Sequence, residues 1–200
     1  MVSPMSSQEG SMTRLSQLLR RKSSDGRLIR TSRFVLRPLN ETDLDEITRL
    51  AGDWAIASMT ARIPYPYTQN DARQWLDGLD EGEFVRAITI PKEDRLLGIT
   101  GYVPSADRDS AEIGYWVGKP YWGRGIATEA ARAIVEHCFT SAGFKKLTCC
   151  HFADNPASAR VIEKLGFTST GQCNCWCEAR RVQALAIQHE LPRRGWLQLR

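Results

Sequence analysis

YWGRGIATEAAR, residues 121–132, sets two glycines around an arginine and then opens a run of helix formers. Ile126, Ala130, Ile134 and Cys138 recur on one stripe of that helix, with Ala127, Ala131, Val135 and Phe139 beside it, so it is amphipathic and packs on a core. The run AEIGYWV (111–117) before it reads as a strand. A Gly-Arg-Gly turn between the two lies at a helix N-terminus, where the first amides lack internal partners and the macrodipole is positive. Glycine permits positive φ and close approach of a ligand to the backbone. Two readings follow: a plain turn, or an anion cradle suited to a pyrophosphate. Gly123, Gly125 and Thr128 break the G-x-G-x-x-G spacing of a dinucleotide site. No Gly-Lys-Ser/Thr follows, so a Walker loop fits worse still.

Outward from this turn the chain alternates in type. RFVLRPL (33–39) reads as a strand, and Asn40 is a cap candidate for a helix carrying Leu44, Ile47 and Leu50. An irregular helical stretch covers 54–63. In PYPYT (64–68) two prolines forbid regular structure, and Thr68 caps a further helix over QNDARQWLDGL. EFVRAITI and LLGITGYV are strands joined by PKEDR, and 110–118 is a third. After the central helix, which runs to about Gly143, KKLTCCHF is a strand. NPASARVIEKLGF is a helix stopped at Gly166, and strands fill 168–178 and 181–191. This order predicts an α/β fold: a central twisted, mixed and mostly antiparallel sheet with helices on both faces.

Two hundred residues suffice for one domain with a hydrophobic core and an extension. Residues 1–30 hold six basic groups (Arg14, Arg20, Arg21, Lys22, Arg27, Arg30) against Glu9 and Asp25. The net charge of the whole chain is also +4, so residues 31–200 are neutral. We therefore expect a flexible basic extension over 1–30 and a neutral domain over 31–200, which argues against a nucleic-acid-binding domain surface. Contact with nucleic acid or a ribosome is open only through residues 14–30. The extension lacks a secretory apolar core, no apolar run reaches the roughly 20 residues of a membrane span, and the expected compartment is the cytoplasm. The six cysteines are then free thiols. Cys149 and Cys150 point to opposite faces of their strand, whereas Cys173, Cys175 and Cys177 share one face. Three sulfurs with His189 could hold zinc, but structural zinc takes cysteines in turn-spaced pairs, and no metal is expected. RRGWLQLR at the end of the chain carries Trp196, which looks exposed.

The run Trp122-Gly123-Arg124-Gly125-Ile126-Ala127 resembles the signature of the GNAT N-acetyltransferase superfamily, Gln/Arg-x-x-Gly-x-Gly/Ala. Within it the chain resembles the RimJ/RimL branch of ribosomal-protein alanine N-acetyltransferases. PYPYTQNDARQWL (64–76), AEIGYWV and NPASARVIEKLGF match that branch in order, so the resemblance spans about 33 to 191. It implies the acyl-CoA N-acyltransferase fold, acetyl-CoA as co-substrate, and a primary amine as acceptor. Trp122, Gly123, Arg124, Gly125, Ile126, Ala127 and Thr128 would hold the pyrophosphate, chiefly through amides. Trp122 stands where a polar residue is usual and removes one side-chain contact. Asn155 caps the following helix and would orient the pantetheine arm. Tyr65, Tyr67 and Trp75 would wall the acceptor pocket. Many such proteins pair, so a homodimer is compatible.

Acetyl transfer needs a neutral amine, a polarised carbonyl and a stabilised thiolate. Roughly 10–20% of an α-amine is neutral at pH 7 against about 0.04% of a lysine, which favours a protein N-terminus as acceptor. A small-molecule amine (an amino acid, polyamine or antibiotic) is the alternative, and a CoA-binding sensor or scaffold without turnover is a third reading. Glu112, leading into the turn, is the candidate base, acting directly or through a water; a surface carboxylate is the plain alternative. In the pattern N-x-x-A-x-x-x-Y the tyrosine protonates the sulfur, but here that position is Ile162. Ser158 falls at the earlier small-residue position, where the branch is thought to use a serine. A serine alkoxide is too basic to form outright, so hydrogen bonding to the thiolate is the physical role; a serine bonded within its own helix is the alternative.

Overall fold

A computed structural model describes residues 26–80 and 82–198. Most of the extension expected over 1–30 lies outside these residues, including residues 14–25 of the basic segment 14–30. One boundary shifts: Ile29–Arg30 (β1) pairs with Val35 and Leu36, so the sheet begins inside the expected extension. A two-residue ladder carries no periodic pattern to read.

The remaining strands are Val35–Arg37 (β2), Phe84–Thr89 (β3), Leu96–Pro104 (β4), Ser110–Val117 (β5), Lys146–Phe152 (β6), Thr168–Cys177 (β7) and Val182–Pro192 (β8). They form one sheet in the order β1-β2-β3-β4-β5-β6-β8-β7. Every pairing is antiparallel except β5 with β6, which are parallel and joined by a helical crossover. The mixed, mostly antiparallel sheet expected from the sequence is the one present.

On one face lie Leu44–Ala51 (α1), Trp54–Ala57 (α2) and Gln69–Asp77 (α3). Local chemistry sets their starts. Asn40 accepts from the Thr42 amide at 2.9 Å while Asp43 accepts from the Asn40 amide at 2.9 Å, which opens a 3-10 turn into α1. Thr68 and Asp71 make the same reciprocal bonds at the start of α3, at 3.2 and 2.8 Å. Leu44, Ile47, Leu50 and Ala72 then pack on Ala87, Leu96 and Ile99 of the sheet.

The other face carries Ile126–His137 (α4) and Pro156–Lys164 (α5). Ile126, Ala130, Ile134 and Cys138 meet Ile113, Leu147 and Ile162 in the larger core. Each Ile or Leu fully buried this way contributes roughly 1.5–3 kcal/mol. A wider helical turn, Cys138–Ala142, extends α4 and closes on Gly143.

One expectation changes at the C-terminal side. Arg193–Gln198 is a short helix (α6), and Trp196 is 8% exposed, packed 5.1 Å from the Phe139 ring. Its burial is tertiary: the helix returns it to the core through a contact that no local spacing announces. Cys173, Cys175 and Cys177 do share a face, against Phe152 and Ala186. Cys173 registers with Ala186 and Cys175 with Ala184, so His189, three residues beyond Ala186, projects from the opposite face. His189 therefore does not face these three sulfurs. All six cysteines are free.

Candidate active site

The sheet parts at its centre. β5 and β6 pair only at Ser110–Glu112 with Lys146–Thr148, although both strands continue for several residues beyond. The parting opens into a cleft of about 870 Å³, lined on one side by Glu112, Gly114 and Tyr115 and on the other by Cys149, Cys150 and His151. The register fixes what each face receives. Glu112 and Gly114 face α1 and α3, whereas Ile113 and Tyr115 face α4 and α5.

At the wide end of the parting lies the Gly-Arg-Gly turn. Gly123 and Gly125 both have left-handed backbones, with φ of +74° and +72°, so L side chains are strained at either position. A Cβ on Gly123 would meet nothing within 4 Å. That open space above the turn is where an anion can approach. Gly125 is the N-cap of α4 and supplies no side-chain cap, unlike Asp53, Thr68 and Asn155 at α2, α3 and α5. The first amides of α4, at Ile126, Ala127 and Thr128, are thereby left for a ligand. The Ile126 side chain is buried in the core, so only its backbone serves the cradle. Ala127 and Thr128 line the cleft.

Trp122 does not contact the cradle as a polar residue would. Its indole N–H donates to the Val117 carbonyl at 2.5 Å, which fastens the turn to the end of β5. Arg124 is exposed and lines the cleft. Its carbonyl accepts from Arg33 Nη1 at 3.0 Å, which fixes the middle of the turn. Open positive-φ glycines, uncapped amides and two guanidinium groups together fit a pyrophosphate, and with it coenzyme A.

Glu112 stands at the last residue pair before the strands part. Cys150 Sγ donates to its Oε1 at 3.6 Å. Cys150 is exposed as a residue, but partial desolvation of its sulfur and the neighbouring Glu112 push the thiol up to about 12, so this sulfur stays a protonated neighbour of the carboxylate. Cys149 is buried on the other face, as alternation requires.

Asn155 caps α5: its Oδ1 accepts from the Ser158 amide at 3.0 Å, which leaves its NH₂ group for other partners. The Ser158 hydroxyl is not bonded within its own helix. It lies 2.9 Å from the Tyr115 hydroxyl, a partner outside that helix. Tyr115 is a site residue that sequence reasoning missed; its partner is 43 residues away, and only the aromatic type within AEIGYWV hinted at it.

Tyr67 and Trp75 line the cleft beside α1 and α3. Burial, with Asp71 adding to it, pushes the Tyr67 phenol up to about 12, so it remains a neutral hydroxyl. Tyr65 is placed differently. It is 46% exposed, stacks edge-on against Trp54 at 5.0 Å and stands outside the cleft lining. The turn through Pro64 and Pro66 faces consecutive aromatics in different directions.

The acetyltransferase (GNAT) domain model matches residues 33–168. An uncharacterized N-acetyltransferase, p20 of Bacillus licheniformis, is 27% identical over 70% of this chain and 82% of its own length. The ribosomal-protein-serine acetyltransferase of Escherichia coli (strain K12) is 28% identical over 52% of this chain and 60% of its own. Among solved structures, RimL, a ribosomal L7/L12 α-N-protein acetyltransferase in complex with coenzyme A, superposes with a TM-score of 0.72 at 17% identity. It covers 83% of this chain and 98% of its own, and at that identity it shows the fold.

Proposed function

The chain belongs to the GNAT acetyltransferase family, and on that premise we propose that it moves acetyl from acetyl-CoA directly to a protein N-terminal α-amine. The observation that carries this reading is the parted sheet. Glu112 and the Tyr115–Ser158 pair occupy opposite faces at the parting of β5 and β6. A base on one face and a hydroxyl on the other suit an amine arriving from the α1/α3 side while sulfur leaves toward α5. The amides of Ile126, Ala127 and Thr128 would hold the pyrophosphate, and the Asn155 NH₂ group would orient the arm. Glu112 would take the ammonium proton, directly or through a water.

The choice of an α-amine rests on three supports. A group with an ordinary pKa near 8 asks little of Glu112. The cleft is large enough for the first residues of a peptide, with Tyr67 and Trp75 as its wall. Relatives and fold neighbours include proteins whose names specify ribosomal-protein and α-N-protein acetylation. Six free cysteines suit a reducing compartment, and we place the reaction in the cytoplasm; no helix among the described residues is long and apolar enough to cross a membrane. The basic segment 14–30 would bring the enzyme to a ribosome, a contact that weakens with salt.

Calorimetric titration of acetyl-CoA into wild type and Gly125→Glu tests the cradle: micromolar binding is expected for wild type and none for the variant. Turnover is then compared among peptides with free N-termini, the same peptides N-terminally blocked, and small amines. Turnover of small amines alone would refute the proposed acceptor.

A further inference from the structure

We propose that Tyr115 is a positioning residue that holds the Ser158 hydroxyl aimed at the departing sulfur, an assignment that rests on the acetyl-transfer reading above. The helix α5 carries Ile162, fully buried, at the position where a phenol would be expected to serve the sulfur. A phenol is nonetheless present at the same place, delivered from the facing strand. Tyr115 projects from β5 toward α5, with its hydroxyl 2.9 Å from Ser158 Oγ and 3.3 Å from the Ser158 carbonyl.

The direction of the shorter bond follows from acidity. Either hydroxyl can donate in that bond; we assign the hydrogen to Tyr115, the more acidic of the two, with Ser158 Oγ as its nearer acceptor and the Ser158 carbonyl as the farther one. The serine's own hydrogen is then left to point into the cleft that both residues line. Burial raises the Tyr115 phenol above its ordinary value, against the smaller opposing effect of Ser158. It therefore remains a donor across the working range and does not itself surrender a proton. Without it, a serine in the first turns of a helix is free to turn its hydrogen back to a backbone carbonyl.

In the reaction the amine nitrogen bonds to the acetyl carbon as the C–S bond breaks. The electron pair goes to sulfur, and, with the ammonium proton already on Glu112, the second proton of the amine leaves through a water. The sulfur accepts the Ser158 hydrogen bond, and the bond from Tyr115 to Ser158 Oγ strengthens it by polarising the serine. Tyr115 acts only through Ser158.

The test uses Tyr115→Phe, Ser158→Ala and the double variant. Tyr115→Phe is expected to lower kcat about tenfold with an unchanged KM for acetyl-CoA, and Ser158→Ala about a hundredfold. The double variant should be no slower than Ser158→Ala, because the phenol has nothing left to position. A readout without turnover is calorimetric binding of CoA and of desulfo-CoA between about pH 7 and about pH 9, across the ordinary thiol range. Wild type should bind CoA more tightly as pH rises, since the pair favours the thiolate, while desulfo-CoA stays flat. Tyr115→Phe should lose that rise yet bind desulfo-CoA like wild type, which shows that it is folded. Wild-type kcat in Tyr115→Phe, additive losses in the double variant, or an unaltered rise with pH each overturn the assignment alone. Wild type that binds neither ligand overturns the acetyl-transfer reading and the assignment together.

Discussion

Arg33 Nε donates to Glu129 Oε2 at 2.7 Å across 96 residues of chain, and Nη1 of the same guanidinium donates to the Arg124 carbonyl. The turn between β1 and β2 is thus latched to the first turn of α4, beside the cradle. Arg33 Nη2 lies 3.5 Å from the place a Cβ on Gly125 would take. Glu129 on its own would repel phosphates at a helix N-terminus; pairing with Arg33 offsets that charge.

Arg33→Ala should weaken acetyl-CoA binding about threefold to tenfold, with the difference shrinking as salt is raised. Titration calorimetry at low and high ionic strength measures both.

The same latch gives an acid-sensitive contribution to stability. Burial pushes the Glu129 carboxyl up, but hydrogen bonds from Thr31, Arg33 and Ser32 outweigh it and hold it at about 2. A depressed carboxylate stabilises the fold above its unfolded value and loses that contribution as pH falls through the folded one. Relative to Glu129→Gln, wild type should therefore lose stability as pH drops from about 4.5 toward about 2. Urea unfolding of both proteins along that range reads the crossover.

Glu112→Gln should lower kcat by about a hundredfold or more while acetyl-CoA binding stays unchanged. It should also speed alkylation of Cys150, because the carboxylate is one of the groups that raise that thiol. Iodoacetamide labelling followed by peptide mass mapping reports the second effect independently of turnover.

Trp122→Phe removes the indole N–H that ties the cradle to Val117. We expect a loss of about 1 kcal/mol in stability and weaker acetyl-CoA binding, checked by thermal unfolding with and without ligand.

Trp196→Ala should cost about 3 kcal/mol, the range for deleting a buried aromatic, and leave acetyl-CoA affinity unaltered. Denaturant titration together with calorimetry separates the two quantities.

What could be read from the chain was local. Asn40, Thr68 and Asn155 cap their helices where the sequence placed them, because a cap needs only residues two or three positions on. Cys149 and Cys150 divide between faces because strand geometry demands it. Distant contacts were not legible. Trp196 is buried by a helix that folds back onto Phe139, and Tyr115 reaches Ser158 only because α5 packs over β5. The edge-on contact of Tyr65 with Trp54 was not legible either, because backbone direction within a proline-bounded loop follows no periodicity. The fold thus follows from local pattern, whereas the wiring of the site follows from contacts between distant segments.

Only three residue pairs splice β5 to β6. Strands β1 to β5 and strands β6 to β8 are otherwise two half-sheets, each with a frayed inner border that no neighbouring strand covers. An extended molecule bearing amides fits along such a border as a strand would. Amide hydrogens along 113–117 and 149–152 should then exchange faster in the free protein than in the bound one, as a seam that opens until it is laced.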